Sequence, residues 1–214
     1  MLLSKDSPEV QYLCKKDKRL AKLISMVGDL PYYRRECDFP RLCHTIINQM
    51  LSNKAAAKIN ERFEALCGAG GVTPANVLAL DDDAIRGVGI SRAKAGYIKG
   101  LATAVADGSL NLEELPSLPD DEIIKKLTKL RGFGTWSAKM QLIFVFDKKD
   151  VLPYEDGAFM QVYRWMYKTD NDKVADIIKR CKKWKPYSSI AARYMYVALD
   201  MGLCKEEFHL FKEV

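Results

Sequence analysis

One carboxylate in this sequence stands where the chain favours a fixed negative charge. Asp156 follows Pro153, which ends any preceding helix, and it precedes apolar residues at helical spacing from Phe159 onward. This places Asp156 at the N-cap of a helix, where its side chain accepts a backbone N–H bond and the positive helix end stabilises its charge. Two interpretations follow: Asp156 only caps the helix, which contributes about 1 kcal/mol, or it also serves as an anionic catalytic group.

A glycine-containing turn is the second feature that could do chemistry. Residues 130–138 read Leu-Arg-Gly-Phe-Gly-Thr-Trp-Ser-Ala, between two apolar helical patterns. Glycine permits positive φ and leaves the backbone open to close approach. The N–H groups that begin the second helix form an anion site, which on a nucleic acid holds a phosphate without reading a base. The candidate phosphate-binding residues of this turn are Gly132, Gly134, Thr135 and Lys139.

The elements that must position these residues are helical. Apolar side chains recur at the spacing of a helix face, and glycine or proline residues separate the patterns. No convincing strand alternation interrupts them, so we predict an all-α fold of about ten helices. The clearest faces are Leu20, Leu23, Ile24 and Val27; Ala55, Ile59, Phe63 and Leu66; Ile123, Ile124, Leu127 and Leu130; and Phe159, Val162, Tyr163 and Met166.

The glycine turn has an internal echo. Residues 86–95 resemble residues 131–140, with five of the ten positions identical, including the pairs Gly87/Gly132 and Gly89/Gly134. Both segments lie between helical patterns. The similarity leaves two interpretations open: a repeated structural unit, or two unrelated glycine turns.

Composition excludes several protein classes. The 214 residues are 48% hydrophobic and 29% charged, typical of a globular chain rather than a disordered or fibrous one. No apolar run is long enough for a transmembrane helix, and the N-terminus lacks the apolar core of a signal peptide, so we expect an intracellular protein. The net charge is +6, and residues 168–185 supply +4 of it, with seven basic and three acidic side chains. This window, which includes Lys182 and Lys183, is either a solvated helix face or a contact for a polyanion.

The cysteines do not predict a metal centre. The six cysteines include no Cys-x-x-Cys pair, and the chain has only two histidines. The last third of the chain has too few cysteines for a local four-cysteine iron–sulfur cluster. We therefore expect reduced, mostly structural thiols.

Four ordered motifs, spread over residues 38–200, resemble one family. They are Gln49-Met-Leu-Ser52, Gly89-Ile-Ser-Arg-Ala-Lys94, the glycine turn followed by Asp156, and Trp184-Lys-Pro-Tyr187. Together they resemble the helix–hairpin–helix DNA glycosylase superfamily, most closely the alkylbase (3-methyladenine) DNA glycosylase II type. The compact form without an N-terminal β domain is expected. The resemblance implies two helical subdomains around a cleft, residues 38–148 and residues 1–37 with 149–214, with Asp156 and Trp136 facing each other.

The resemblance also implies roles for single residues. Asp156 is the catalytic aspartate, and Trp136 stands where bifunctional relatives place a nucleophilic lysine, which implies a monofunctional hydrolase. Lys139, three residues further on, is a minor alternative nucleophile. Met50 or Leu51 is the wedge that fills the gap left by a flipped nucleotide, although core packing of Met50 is an equal alternative. The expected base pocket is Trp136, Met140, Tyr154 and Trp184, to which Tyr32, Tyr33 and Tyr187 could add, and the expected backbone contacts are the hairpin residues with Lys182 and Lys183.

The implied activity is hydrolysis of the N-glycosidic bond of alkylated purines, 3-methyladenine and 7-methylguanine, in double-stranded DNA. We expect a monomer with no iron–sulfur cluster and no cofactor, apart from a possible monovalent cation at the backbone carbonyls of Thr128, Leu130 and Phe133. The protein would work on the nucleoid in a bacterium or in the nucleus of a eukaryote. Two alternatives remain: a non-enzymatic helix–hairpin–helix DNA-binding protein, and a glycosylase for oxidised or mismatched bases.

Overall fold

The computed structural model describes residues 2–32 and 37–211, so Tyr33 lies outside the described residues. Over these ranges the chain forms twelve α-helices, three 3-10 turns and one antiparallel pair of two-residue strands. The predicted all-α class is confirmed, with twelve helices instead of about ten. None of the helices in these ranges combines the length and the apolar character needed to span a membrane.

The elements are, in chain order, β1 (Leu2–Leu3), α1 (Pro8–Lys16), α2 (Lys18–Val27), β2 (Leu30–Pro31), α3 (Phe39–Asn48), α4 (Asn53–Leu66), α5 (Pro74–Ala79), α6 (Asp82–Gly87), α7 (Arg92–Ala106), α8 (Asp120–Thr128), α9 (Thr135–Phe144), α10 (Gly157–Tyr167), α11 (Val174–Cys181) and α12 (Ser188–Asp200). The 3-10 turns are Leu115–Ser117, Lys182–Trp184 and Leu203–Lys205.

The chain divides into two compact units. One comprises residues 1–35 and 142–214, and the other comprises residues 36–141. We call them the terminal unit and the central unit. From the sequence the boundaries were expected at 37/38 and 148/149, and the arrangement of the two subdomains around a cleft stays a prediction.

Aromatic side chains dominate the core of the terminal unit. Trp184 is fully buried, with Phe159 edge-on to its indole at 6.3 Å between ring centroids. Truncating a buried tryptophan or phenylalanine to alanine typically costs about 3–5 kcal/mol. The largest buried side chains around them come from α2, α10, α12 and the C-terminal segment: Leu20, Leu23, Tyr163, Tyr194 and Phe208.

A buried carboxylate joins three segments of the terminal unit. Asp17 is the N-cap of α2 and accepts hydrogen bonds from two backbone N–H groups of that helix. Its other oxygen accepts hydrogen bonds from the hydroxyl of Tyr167 and from the indole N–H of Trp184, the latter at 2.9 Å, and lies 3.0 Å from the ammonium of Lys183. Burial raises the pKa of Asp17, but these donors outweigh it and the net pKa is lowered.

The core of the central unit is mainly aliphatic. Helices α3 and α7 pack together, and α5 packs on α7. Serine or threonine side chains cap α4, α5 and α7, which fixes where each helix begins. The buried side chains include Leu42, Ile46, Phe63, Val77, Ile85, Ile98, Leu101, Leu115, Ile123, Leu127 and Ala138.

The internal echo corresponds to two similar turns, but in a different register. Gly89 has φ 103° and lies three residues before the first residue of α7, and Gly132 has φ 92° and lies three residues before the first residue of α9. Each is followed by a buried apolar residue, Ile90 or Phe133. The structure therefore pairs Gly89 with Gly132, whereas the matching letters paired Gly87 with Gly132. Positive φ, which only glycine adopts readily, decides the equivalence.

Candidate active site

Asp156 lies at the N-cap of α10, as the sequence predicted. Its backbone is extended, with φ −83° and ψ 125°, and its own N–H donates to the carbonyl of Pro153 at 3.0 Å. One carboxylate oxygen accepts the N–H of Phe159 at 2.8 Å. Only 8% of the residue is exposed, whereas its neighbour Glu155 is exposed. The carboxylate is thus fixed at the positive end of a helix in a largely dry place, where a charge acts over distance more strongly than in water.

Tyr196 is a partner of Asp156 that was not predicted from the sequence. It lies on α12, half-buried, with its ring 5.6 Å from that of Phe144, and its hydroxyl hydrogen-bonds to the carboxylate of Asp156. Burial raises the pKa of the Tyr196 hydroxyl, and the carboxylates of Asp156 and Glu155 raise it further. At neutral pH the hydroxyl therefore stays protonated and donates a hydrogen bond to the carboxylate. No local pattern in the sequence marks Tyr196 as a partner of Asp156, which lies forty residues earlier in the chain.

The hairpin between α8 and α9 is a tight turn that connects the two helices. Phe133 is buried and its N–H donates to the carbonyl of Leu130 at 3.1 Å. A Cβ atom on Gly132 would lie 2.5–2.9 Å from the ring and Cβ of Tyr97, so both its φ and its surroundings require glycine. Gly134 and Thr135 are exposed at the start of the ten-residue α9. The N–H groups of that first turn have no partner within the helix and can bind an anion.

Two predicted pocket residues lie on the outer side of α9. Trp136 is 41% exposed, and Met140, one turn further on, is half-buried. Ser137 and Ala138 face inward and are buried. Lys139 is half-buried. Trp136 and Met140 thus present neighbouring apolar surface on one side of α9, which favours a binding role.

The predicted wedge residues are exposed. Met50 is 101% exposed and adopts a left-handed backbone with φ 58°, and Leu51 is 37% exposed. Core packing of Met50, the alternative that the sequence left open, is wrong. Between the two, Met50 presents far more of its side chain to solvent. An apolar side chain held out from a tight turn is what insertion between bases requires.

Trp184 does not line a pocket, and this expectation is wrong. Its side chain is 0% exposed and donates to Asp17 inside the terminal unit. Tyr154 is half-buried against the same core. Tyr32 is buried under the guanidinium of Arg193, and Tyr187 packs edge-on against Tyr12 at 5.4 Å.

Lys183 also has a structural partner instead of a free surface position. Its ammonium lies 3.0 Å from the carboxylate of Asp17, and this ion pair offsets its charge and weakens its candidacy for the DNA backbone. Within the same basic window, Lys168 pairs with Glu207 and Lys185 pairs with Asp150. Lys182 is exposed and keeps its candidacy.

The described parts of the chain do not gather acidic, histidine or cysteine side chains into a metal site, and burial raises the pKa of two of their cysteines. Residues 2–32 and 37–211 contain no group of three histidine, cysteine, aspartate or glutamate side chains able to hold a metal ion. Burial raises the pKa of Cys37 to about 11 and that of Cys181 to about 12, so both thiols stay protonated at neutral pH.

The order of these features along the chain matches one family. Residues 43–186 match the HhH-GPD superfamily of base excision DNA repair proteins, and this stretch contains the hairpin and Asp156. The chain belongs to the HhH-GPD superfamily. Its fold class and the hairpin followed by an aspartate are those expected from the motifs.

Individual HhH-GPD relatives are similar over most of their length. DNA-3-methyladenine glycosylase 1 of Schizosaccharomyces pombe is 28% identical over 182 residues, which cover 84% of this chain and 80% of the relative. A DNA-3-methyladenine glycosidase of Bacillus halodurans has a solved structure with TM-score 0.87 and 31% identity, covering 98% of this chain and 97% of the other. The S. pombe 3-methyladenine DNA glycosylase in complex with abasic DNA gives TM-score 0.82 and 26% identity, covering 91% and 97%.

Proposed function

We propose that this HhH-GPD protein is a monofunctional DNA glycosylase that hydrolyses the N-glycosidic bond of alkylated purines in double-stranded DNA. The observation that carries the proposal is Asp156: a buried carboxylate, fixed by the Phe159 N–H and the Tyr196 hydroxyl, after a helix–hairpin–helix in the chain. Relatives of similar length are DNA-3-methyladenine glycosylases, and one of them was solved with abasic DNA. The lesions expected are 3-methyladenine and 7-methylguanine.

The chemistry asks little of the protein beyond charge and position. Alkylation at N3 or N7 makes the purine cationic, so the base leaves readily without a strong acid. The sugar becomes oxocarbenium-like, and a fixed carboxylate stabilises that positive charge. Asp156 supplies the carboxylate and can also orient the attacking water. This explains why the site needs no second carboxylate of the kind ordinary glycosidases use.

Trp136 would influence both which base is removed and which product is formed. Its indole has no amine that could attack the sugar, so the product is an intact abasic site. The face of an indole attracts cations, which favours an alkylated over an ordinary base. Met140, one turn along the same helix, adds apolar surface, and Tyr154 is a further candidate for the pocket wall.

Duplex binding would use the remaining exposed features. Flipping the base out of the duplex costs a few kcal/mol, because its stacking and pairing are lost. Met50, with Leu51 beside it, would fill the vacated stack, and the first turn of α9 at Gly134 and Thr135 would hold a phosphate. Lys139 and Lys182 add positive charge. The protein would act as a monomer on the nucleoid or in the nucleus.

No cofactor is needed by alkylbase glycosylases of this family. A structural monovalent cation on the carbonyls of Thr128, Leu130 and Phe133 remains part of the proposal. It predicts weaker binding of undamaged duplex when potassium is replaced by tetramethylammonium, which is too large for a carbonyl cage. Equal affinity in the two salts at the same ionic strength would remove the cation from the proposal.

Base release from methylated DNA tests the function. We expect 3-methyladenine and 7-methylguanine to be released, with the strand left intact until alkali is added. Borohydride should trap no covalent complex. Duplex binding without release of any base would indicate a non-enzymatic DNA-binding protein. Base release only from duplexes that contain 8-oxoguanine or a mismatch would indicate a glycosylase for oxidised or mismatched bases. A trapped complex that depends on Lys139 would overturn the monofunctional assignment.

A further inference from the structure

The lysine of the Gly-Ile-Ser-Arg-Ala-Lys motif points at the loop that carries Met50. The Nζ atom of Lys94 donates to the carbonyls of Ile47 at 2.8 Å and Gln49 at 2.6 Å. These carbonyls lie at the C-terminal end of α3, where a helix leaves acceptors without partners and carries partial negative charge. Lys94 is half-buried, and burial lowers its pKa. Its ammonium is therefore occupied with the backbone immediately before Met50.

The glutamine of the Gln-Met-Leu-Ser motif, Gln49, connects the same loop to the hairpin. The Nε2 atom of Gln49 donates to the carbonyl of Gly132 at 2.7 Å and lies 3.4 Å from the hydroxyl oxygen of Ser137. Gln49 directly precedes Met50 in the chain, and Gly132 is the positive-φ glycine of the hairpin. One side chain thus links the turn that exposes the methionine with the turn that presents the phosphate-binding N–H groups.

Helix α7 touches both turns. Lys94 holds the Met50 loop, and Tyr97, three residues later on the same helix, packs its ring against Gly132. One further bond closes the loop itself: the N–H of Leu51 donates to the carbonyl of Asn48 at 3.2 Å. All of these residues belong to the central unit. Helix α7 therefore contacts both the loop that carries Met50 and the hairpin, and it can fix the position of one relative to the other.

We propose that Lys94 and Gln49 are positioning residues that fix Met50 relative to the hairpin, so that wedge insertion and phosphate binding occur on the same duplex without a prior rearrangement. This inference rests on the proposed function of Met50 as the wedge. Preorganisation matters because a loop that must be ordered on binding loses affinity to that ordering. Losing hydrogen bonds from a charged donor commonly changes an equilibrium by about tenfold or more.

Binding to an abasic duplex isolates this step from catalysis. The probe is a duplex with one tetrahydrofuran abasic site and 2-aminopurine as its neighbour, whose fluorescence reports wedge insertion. Lys94→Met should weaken binding to this duplex about tenfold and reduce the fluorescence change, while affinity for undamaged duplex stays near the parent value. Lys94→Arg, which retains a charged donor, should recover part of the effect. Lys99→Met is the matched control, since Lys99 lies on the same helix and pairs with Asp82 at 2.7 Å.

A double-mutant cycle with Met50→Ala decides whether Lys94 acts through the wedge. We expect Met50→Ala to show the same loss and the double variant to be no worse than Met50→Ala alone. If Met50→Ala abolishes the fluorescence change while Lys94→Met retains it, Lys94 has no positioning role, and Met50 remains the wedge. If Met50→Ala inserts like the parent, the wedge and the inference both fail. Should Lys94→Met fold poorly, Gln49→Leu takes its place in the cycle with the same expected outcomes.

Discussion

The hydroxyl of Tyr196 hydrogen-bonds to the carboxylate of Asp156, across forty residues of sequence. The Phe159 N–H binds the same carboxylate at 2.8 Å. Two donors from two helices, α10 and α12, therefore hold one catalytic candidate. A carboxylate with fewer fixed donors can rotate, and its charge would then be less well placed for a developing sugar cation.

Tyr196→Phe removes one of these donors and keeps the ring. We expect the single-turnover rate of base release to fall about tenfold, with duplex affinity and folding close to the parent's. Tyr194→Phe is the matched control, because the Tyr194 hydroxyl donates to the carbonyl of Leu3 at 3.2 Å and does not involve Asp156. Equal rates for Tyr196→Phe and Tyr194→Phe would show that the hydroxyl does not orient the carboxylate.

The two glycines of the hairpin should separate folding from binding. Gly132→Ala places a methyl group 2.5–2.9 Å from Tyr97 at φ 92°, and we expect it to lower the free energy of unfolding by about 2–4 kcal/mol. A Cβ on Gly134 meets no atom within 4 Å, so Gly134→Ala should fold normally and weaken only duplex binding. Urea unfolding and fluorescence anisotropy measure the two effects. Equal stability of the two variants would contradict the assigned roles.

Local patterns predicted the features that depend on neighbouring residues. The N-cap position of Asp156 follows from Pro153 and the apolar residues after it, and the structure has the predicted cap bond to Phe159. The glycine turn and the helix faces could also be predicted, because positive φ favours glycine and a helix face places apolar residues at a period of 3.6. These features fixed the fold class and the strongest site candidate.

Long-range pairing could not be predicted from the sequence. Trp184 was expected in a pocket and Lys183 on DNA, but both contact Asp17, which lies more than 160 residues earlier in the chain. Tyr196 was missed for the same reason. A tryptophan or a lysine has no local pattern that distinguishes a core partner from a ligand contact.

Asp17 predicts a pH dependence of stability. Its net pKa is lowered in the folded protein, so it contributes stability above its unfolded pKa of about 3.9, and that stability is lost as pH falls through the lower folded pKa. Asp17→Asn should cost about 2–4 kcal/mol at pH 7, because the Tyr167, Trp184 and Lys183 donors lose their anion. Urea unfolding at several pH values should show this difference unchanged above about pH 5 and shrinking below about pH 4. A difference that grows on acidification would contradict the assignment.

Duplex binding should depend on salt through Lys182 and not through Lys183. If Lys182 neutralises one phosphate, Lys182→Ala should reduce the slope of log K against log salt by about 0.9. Lys185→Ala is the control, because Lys185 lies 3.2 Å from the carboxylate of Asp150, which offsets its charge. Lys183→Ala should instead lower stability through Asp17. An unchanged slope for Lys182→Ala would assign the basic window to solvent.

The most direct measurement of the central claim is single-turnover release of 3-methyladenine or 7-methylguanine by the parent and by Asp156→Asn. Asparagine caps a helix about as well as aspartate, so folding should persist, and binding to the lesion duplex should be retained or tightened. The loss of the fixed charge should slow release on the order of 10² to 10³-fold. Release by Asp156→Asn at the parent rate would contradict the account and leave Asp156 with only its role as the cap of α10.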